Sequence, residues 1–216
     1  MKFNLTEVKT STPRLQPWSI NDVKFAGVDY KKGTSSNGNN WAAMQFNFVG
    51  EGGTYSKMFF CPNEKGFERK TGETNGRSWT LPSDAEVTMV QIQYICQTLA
   101  KDAYAKVSGK ISVDLPAEFE KLYTYVKQIL SKANNETVQL KLVADSRGYA
   151  DIPKNAVQID NNDTAYIRNY WLGHNLAFTS YELKTRDAAK AEKPSEIDNL
   201  GDNNNSSDDI DLSLDL

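Results

Sequence analysis

Rings and cations are interleaved along the first third of the chain: Lys24, Lys31 and Lys32, then Trp41, then Tyr55, Lys57 and Phe59. A planar side chain stacks on any flat π system, and an ammonium on a flexible stem neutralises an anion without demanding one geometry. Together they suit a ligand that is both charged and flat-ringed, such as an unpaired nucleotide strand. A second group, Arg69, Lys70, Arg77 and Trp79, falls in a stretch punctuated by Pro62, Gly66, Gly72, Gly76 and Pro82. A third, Tyr166, Arg168 and Tyr170, alternates in a way that puts all three on one face of a strand. Each group also has a plain reading, because aromatics fill strand cores and scattered lysines solvate a face. A register error of one residue would exchange Trp41, Gln45 and Asn47 for Ala42, Met44 and Phe46.

Other chemistries find little support. The one histidine, His174, leaves no room for a Cys/His zinc cluster, and Cys61 and Cys96 lack CxxC spacing and read as reduced, buried thiols. No phosphate-binding glycine loop, GxSxG or HExxH occurs. The sequence therefore predicts no enzyme, no metal site and no cofactor. No apolar run approaches a membrane span, and Met1 to Glu7 lacks a signal-peptide core, so the expected compartment is the cytoplasm, with no membrane partner.

Three strands are expected to carry the first group. Residues 22–32 alternate Val23 and Phe25 against Lys24 and Ala26, and Gly27 marks a bulge or bend. After the turn 33–40, the strand 41–49 sets Ala42, Met44, Phe46 and Phe48 on one face. After Gly50-Glu51-Gly52-Gly53, the strand 54–61 sets Tyr55, Lys57 and Phe59 opposite Ser56, Met58 and Phe60; the first three are expected to face outward. Residues 62–82 read as a long loop able to close over a ligand. Ser83-Asp84-Ala85-Glu86 has capping-box form, opening a helix that ends near Gly109; a second helix is expected over 117–133 with Pro116 in its first turn. Strands resume at Thr137, with the last two over 164–171 and 176–183.

The expected fold is mainly β with an α insertion: a five-stranded Greek-key barrel of OB type, with two helices (about 83–133) between its third and fourth strands. The expected organisation is an extended segment over 1–19, the barrel domain over 20–184 and a disordered acidic tail over 185–216. Residues 195–216 hold seven acids and no base, whereas residues 1–194 hold 25 bases against 21 acids, a net of +4. The tip, Asp208, Asp209, Ile210, Asp211, Leu212, Ser213, Leu214, Asp215 and Leu216, interleaves carboxylates with large apolar residues, as a solubilising tail alone would not require.

The run Val23-Lys24-Phe25-Ala26-Gly27-Val28, the segment from Trp41 to Phe46-Asn47-Phe48-Val49-Gly50, and Met58-Phe59-Phe60-Cys61-Pro62 together resemble phage-encoded OB-fold single-stranded-DNA-binding proteins. Leu176 to Glu182, followed by a linker and an acidic tip, adds to the likeness. The resemblance implies sequence-independent binding of single-stranded DNA in replication, recombination and repair, in the host cytoplasm. It also implies a tail (Asp208 to Leu216) that regulates binding and recruits replication or recombination proteins. The tip departs from the cellular members, which end in an aromatic after a proline, whereas this chain ends Leu214-Asp215-Leu216. Homo-oligomerisation is left open. Two other readings stand beside this one: a structural or assembly scaffold, of a virion for instance, with no nucleic-acid role, and an RNA-binding OB-fold protein.

Overall fold

Strand β1 (Ser19–Thr34) is nearly three times the length of a common strand, and one residue explains how it serves two neighbours. Its first part pairs antiparallel with β6 (Val138–Ala144), and from Val23 onward it pairs with β2 (Asn40–Gly50). The register with β2 slips between Phe25 and Gly27, and Gly27 sits at φ 130°, a conformation open to glycine. The extra residue resets the alternation. Val23 and Phe25 face the core before the bulge, and Val28 and Tyr30 face it afterwards.

The computed structural model describes residues 13–133 and 135–191, and these divide after Phe178 into two units. In the first unit β3 (Gly53–Phe60) extends the sheet, giving the order β10-β6-β1-β2-β3. Here β10 is Leu172–Gly173, and β7 (Ala150–Asp151) pairs with β6 off that path. The sheet is antiparallel and curled, a half-barrel. Among the described residues no ladder joins β3 to β10. Side chains close part of that seam instead: the Tyr55 hydroxyl and Lys57 Nζ both donate to Asp151 Oδ1, at 2.9 and 2.7 Å.

The concave side is filled by Val28, Met44, Phe46, Phe48 and Phe59 from the sheet, Leu140 and Leu142 from β6, and Trp171. Against them pack α1 (Asp84–Leu99), through Ile92, Ile95 and Leu99, and α3 (Phe119–Leu130), through Phe119, Leu122 and Val126. Each fully buried side chain of this size contributes roughly 1.5–3 kcal/mol. The capping box opening α1 is present: Ser83 Oγ accepts from the Glu86 amide at 3.2 Å, and Glu86 Oε2 accepts from the Ser83 amide at 2.8 Å.

Several expectations need correction. The main sheet has six strands rather than five, and two separate hairpins bring the described strands to ten. The long loop is not structureless. A 3-10 turn (Glu64–Phe67) precedes a hairpin of β4 (Lys70–Thr74) and β5 (Arg77–Leu81), whose turn residues Asn75 and Gly76 sit at φ 52° and 70°. Asn-Gly is the dipeptide that such a turn favours. The helical insertion has three α-helices, not two, because the first is interrupted at Ala100 (φ −142°, ψ 50°) and resumes as α2 (Lys101–Val107).

The second hairpin is β8 (Val157–Ile159) with β9 (Ala165–Ile167), replacing the single strand expected over 164–171. The strand expected over 176–183 does not form. Thr179 instead caps α4 (Ser180–Ala191): its amide donates to Glu182 Oε2 at 2.7 Å, and its Oγ1 accepts from the Glu182 amide at 3.2 Å. Helix formers follow, so the part of the expected disordered tail from Thr185 to Ala191 is helical. Asp208 to Leu216, and the N-terminal segment up to residue 12, lie outside the described residues. None of the described helices is long and apolar enough to cross a membrane.

Candidate nucleic-acid interface

The ladders decide which residues share the outer face of β1–β3, because paired residues project to the same side. Gly33 faces Trp41, Lys31 faces Ala43, Ala43 faces Phe60, and Gln45 faces both Asp29 and Met58. Phe48 faces Tyr55 and Met44 faces Phe59 on the inner side. Tyr55 and Phe59 are accordingly 8 % and 5 % exposed, and the expectation that they stack on a ligand is overturned. Both faces of β3 carry bulky residues, and the short turn from Gly50 to Gly53 fixes the register that sends these two inward. Burial and the Asp151 carboxylate push the Tyr55 phenol well above its ordinary range, so it stays a neutral donor.

The outward aromatic that sequence reasoning missed is Phe60, 52 % exposed, with its ring centroid 5.8 Å from that of Trp41 in an edge-to-face arrangement. Beside this pair lies Lys31, whereas the exposed Lys24 lies across the bulge, opposite Val49 at the far end of β2. Between them runs a polar chain: Gln45 Nε2 donates to Asn47 Oδ1 at 2.8 Å, Ser56 Oγ donates to the same oxygen at 2.7 Å, and Asn47 Nδ2 donates to Asp29 Oδ2 at 3.0 Å. Lys32 pairs with Ala42 on the inner side but is exposed. Lys57 also belongs to the inner side and is held by Asp151, which removes it from the outer face where it was expected.

A second cluster forms on the two hairpins. Lys70, Gly72 and Thr74 share one face of β4–β5 with Leu81, Trp79 and Arg77. Trp79 is 41 % exposed, and its Nε1 donates to Thr74 Oγ1 at 3.1 Å. β5 packs against β8, and Tyr166, Arg168 and Tyr170 are exposed on and just beyond β9. Arg168 is occupied in part by a hydrogen bond to Gln158.

Arg69 ties this region together rather than standing free. Its guanidinium bonds Glu86 through Nε and Nη2, and Asp163, in the β8–β9 turn, through Nη1. The Glu86 carboxyl is thereby held down to about 2, chiefly by Arg69, while Arg69 is raised by the same contact. Arg69 thus acts as a structural clamp, and its expected place as a ligand cation is not supported. Lys24, Lys32, Lys70, Arg77 and Arg168 have no ion pair among the described residues. Lys31 has only a 4.0 Å contact with Asp29, a pair exposed enough to be worth little.

Burial raises both thiols, Cys61 and, to about 12, Cys96, which makes them poor nucleophiles. Among the described residues no group of three or more His, Cys, Asp or Glu could hold a metal ion. No protein-family model matches the chain, and no curated protein or solved structure matches it significantly.

Proposed function

We propose that the chain binds single-stranded DNA without sequence preference, by phosphate neutralisation and base stacking. The observation that carries this reading is the pairing of rings with cations in two places: half-buried Trp41 and exposed Phe60 near Lys31, whose one ion-pair contact is at 4.0 Å, and exposed Trp79 between Lys70 and Arg77. Stacking tolerates any base because every base has a π face, and each stacked base is worth roughly 1–3 kcal/mol. The strand order supports an OB-like reading of the half-barrel: a three-strand meander, helices, then a strand returning to pair with β1.

On this reading the acidic tip, Asp208 to Leu216, competes electrostatically with the strand and recruits replication or recombination proteins in a phage-infected cytoplasm. Deleting residues 195–216 then tightens DNA binding at low salt and has less effect at high salt.

The test is tryptophan fluorescence of the full chain titrated with oligo-dT at several salt concentrations. Saturable quenching that weakens with salt is the expected result, and the slope counts the phosphates engaged at about 0.7 each. Absence of quenching at low salt would sink the proposal and leave the scaffold reading in its place. A matched RNA oligomer bound more tightly than DNA would move the assignment to RNA.

A further inference from the structure

Trp41 and Trp79 sit in the same local arrangement, each directly across a ladder from a glycine: Gly33 faces Trp41 and Gly72 faces Trp79. Neither glycine is needed for a left-handed backbone, unlike Gly27 or Gly76. What each supplies is room. A Cβ on Gly33 would lie 2.9 Å from Cζ2 and 3.1 Å from Cε2 of Trp41. A Cβ on Gly72 would lie 2.7 Å from Cε2 and 2.9 Å from Cη2 of Trp79, with Cζ2 closer still. In both pairs the three nearest atoms all belong to the indole, so the ring is laid across the bare backbone of the opposite strand. Glycine ordinarily weakens a strand interior, and an aromatic facing it recovers part of the loss by covering it.

We infer that Gly33 and Gly72 are positioning residues for stacking: each glycine seats its tryptophan flat on the hairpin, so that the ring is presented as a platform to an unpaired base. Two further contacts hold the poses, the near-perpendicular Phe60 ring beside Trp41 and the Thr74 hydroxyl on Trp79 Nε1. A methyl at either glycine lifts the indole off the strand and tilts the platform while leaving every cation in place. This inference rests on the single-strand reading above and adds to it which backbone positions the stacking depends on.

The experiment is a double-mutant cycle in the full chain, pairing Gly72→Ala with Trp79→Ala and Gly33→Ala with Trp41→Ala. Each protein is titrated with oligo-dT and with an abasic strand of equal length, which keeps the phosphates and lacks the bases. Each glycine variant is expected to lose roughly tenfold in oligo-dT affinity, to keep its abasic affinity, and to lose nothing further when its tryptophan is already alanine. A variant that loses affinity equally for both strands, or as much again in the tryptophan-less background, overturns the positioning role. So does wild-type oligo-dT affinity in a glycine variant whose paired tryptophan variant is weakened. A wild-type chain that binds neither strand overturns the single-strand reading itself, an outcome separate from these. Near-UV circular dichroism of Gly72→Ala reports the indole pose independently of any ligand, and an unchanged tryptophan signal also counts against the inference.

Discussion

The outer face of β1–β3 and the β4–β5 hairpin present the same chemistry, a tryptophan across a glycine beside cations, on very different supports. Behind Trp41 lies a sheet whose inner side carries Met44, Phe46 and Phe48, all fully buried. Trp79 stands on a two-stranded ribbon in which every residue except Gly72 is exposed. A lone ribbon is marginal in water, and this one is anchored where β5 packs on β8 and where Arg69 bonds Glu86 and Asp163. The difference teaches a contrast of supports: on the proposed single-strand reading the sheet would hold a fixed platform, and the hairpin one that can adjust at low cost to the core.

The largest expected effect is on the sheet side. Phe46→Ala removes a fully buried ring and should cost about 3–5 kcal/mol in urea unfolding, abolishing the platform. Replacing residues 71–80 of the hairpin by a short glycine linker should leave the unfolding midpoint nearly unchanged. A comparable loss from that deletion would break the comparison.

The seam comes next. Asp151→Ala leaves both Lys57 and the Tyr55 hydroxyl without their acceptor, and should destabilise by about 1–3 kcal/mol. Lys57→Met should cost less, since the Asp151 carboxylate keeps the Tyr55 hydroxyl and the Ile152 amide as donors. Equal costs would mean that the Lys57 pair carries the seam and the Tyr55 bond adds nothing.

Smaller again is the effect of the hairpin cations. Lys70→Ala with Arg77→Ala should lower the salt slope of oligo-dT binding by about 1.4, with no change in thermal midpoint. An unchanged slope would show that the ribbon does not meet the phosphates.

The smallest effect is on the clamp. Glu86 has its pKa depressed to about 2 in the folded chain, so its contribution is present above the ordinary value of 4.5 and fades as pH falls toward 2. Solvent reaches this pair, which keeps the effect small. Glu86→Gln should therefore lower the melting temperature by a few degrees at pH 7, with the gap to wild type closing below about pH 4.

How much of this was legible depended on whether a signal had one interpretation. The alternation in β2 did: Met44, Phe46 and Phe48 against Gln45 and Asn47 allows one inner face. In β3 it did not, because Tyr55 and Phe59 on one side balance Met58 and Phe60 on the other. Only pairing with β2 through the Gly50–Gly53 turn resolves that choice. The Ser83 capping box is readable, and the same pattern at Thr179 and Glu182 is masked by the strand-like run from Leu176 to Leu183. Asn75-Gly76 is a readable hairpin turn inside a stretch whose glycines and prolines otherwise suggest a loop. Arg69 could not have been placed from sequence at all, since its partner Asp163 lies 94 residues away.

The bulge in β1 makes the identity of the outer face a matter of counting. Downstream of Ala26 and Gly27, odd-numbered Asp29, Lys31 and Gly33 point outward only because one unpaired residue precedes them. Drawing Ala26 into the ladder in place of the bulge would set Asp29 opposite Met44 and Lys31 opposite Ala42 on the inner side and bring Val28 and Tyr30 to the surface. Such a frame shift within a strand cannot be accommodated locally, whereas residues added to the Ser35–Asn39 turn lengthen only an exposed tip. Length changes between this chain and any diverged copy should therefore collect in that tip and avoid residues 24–28.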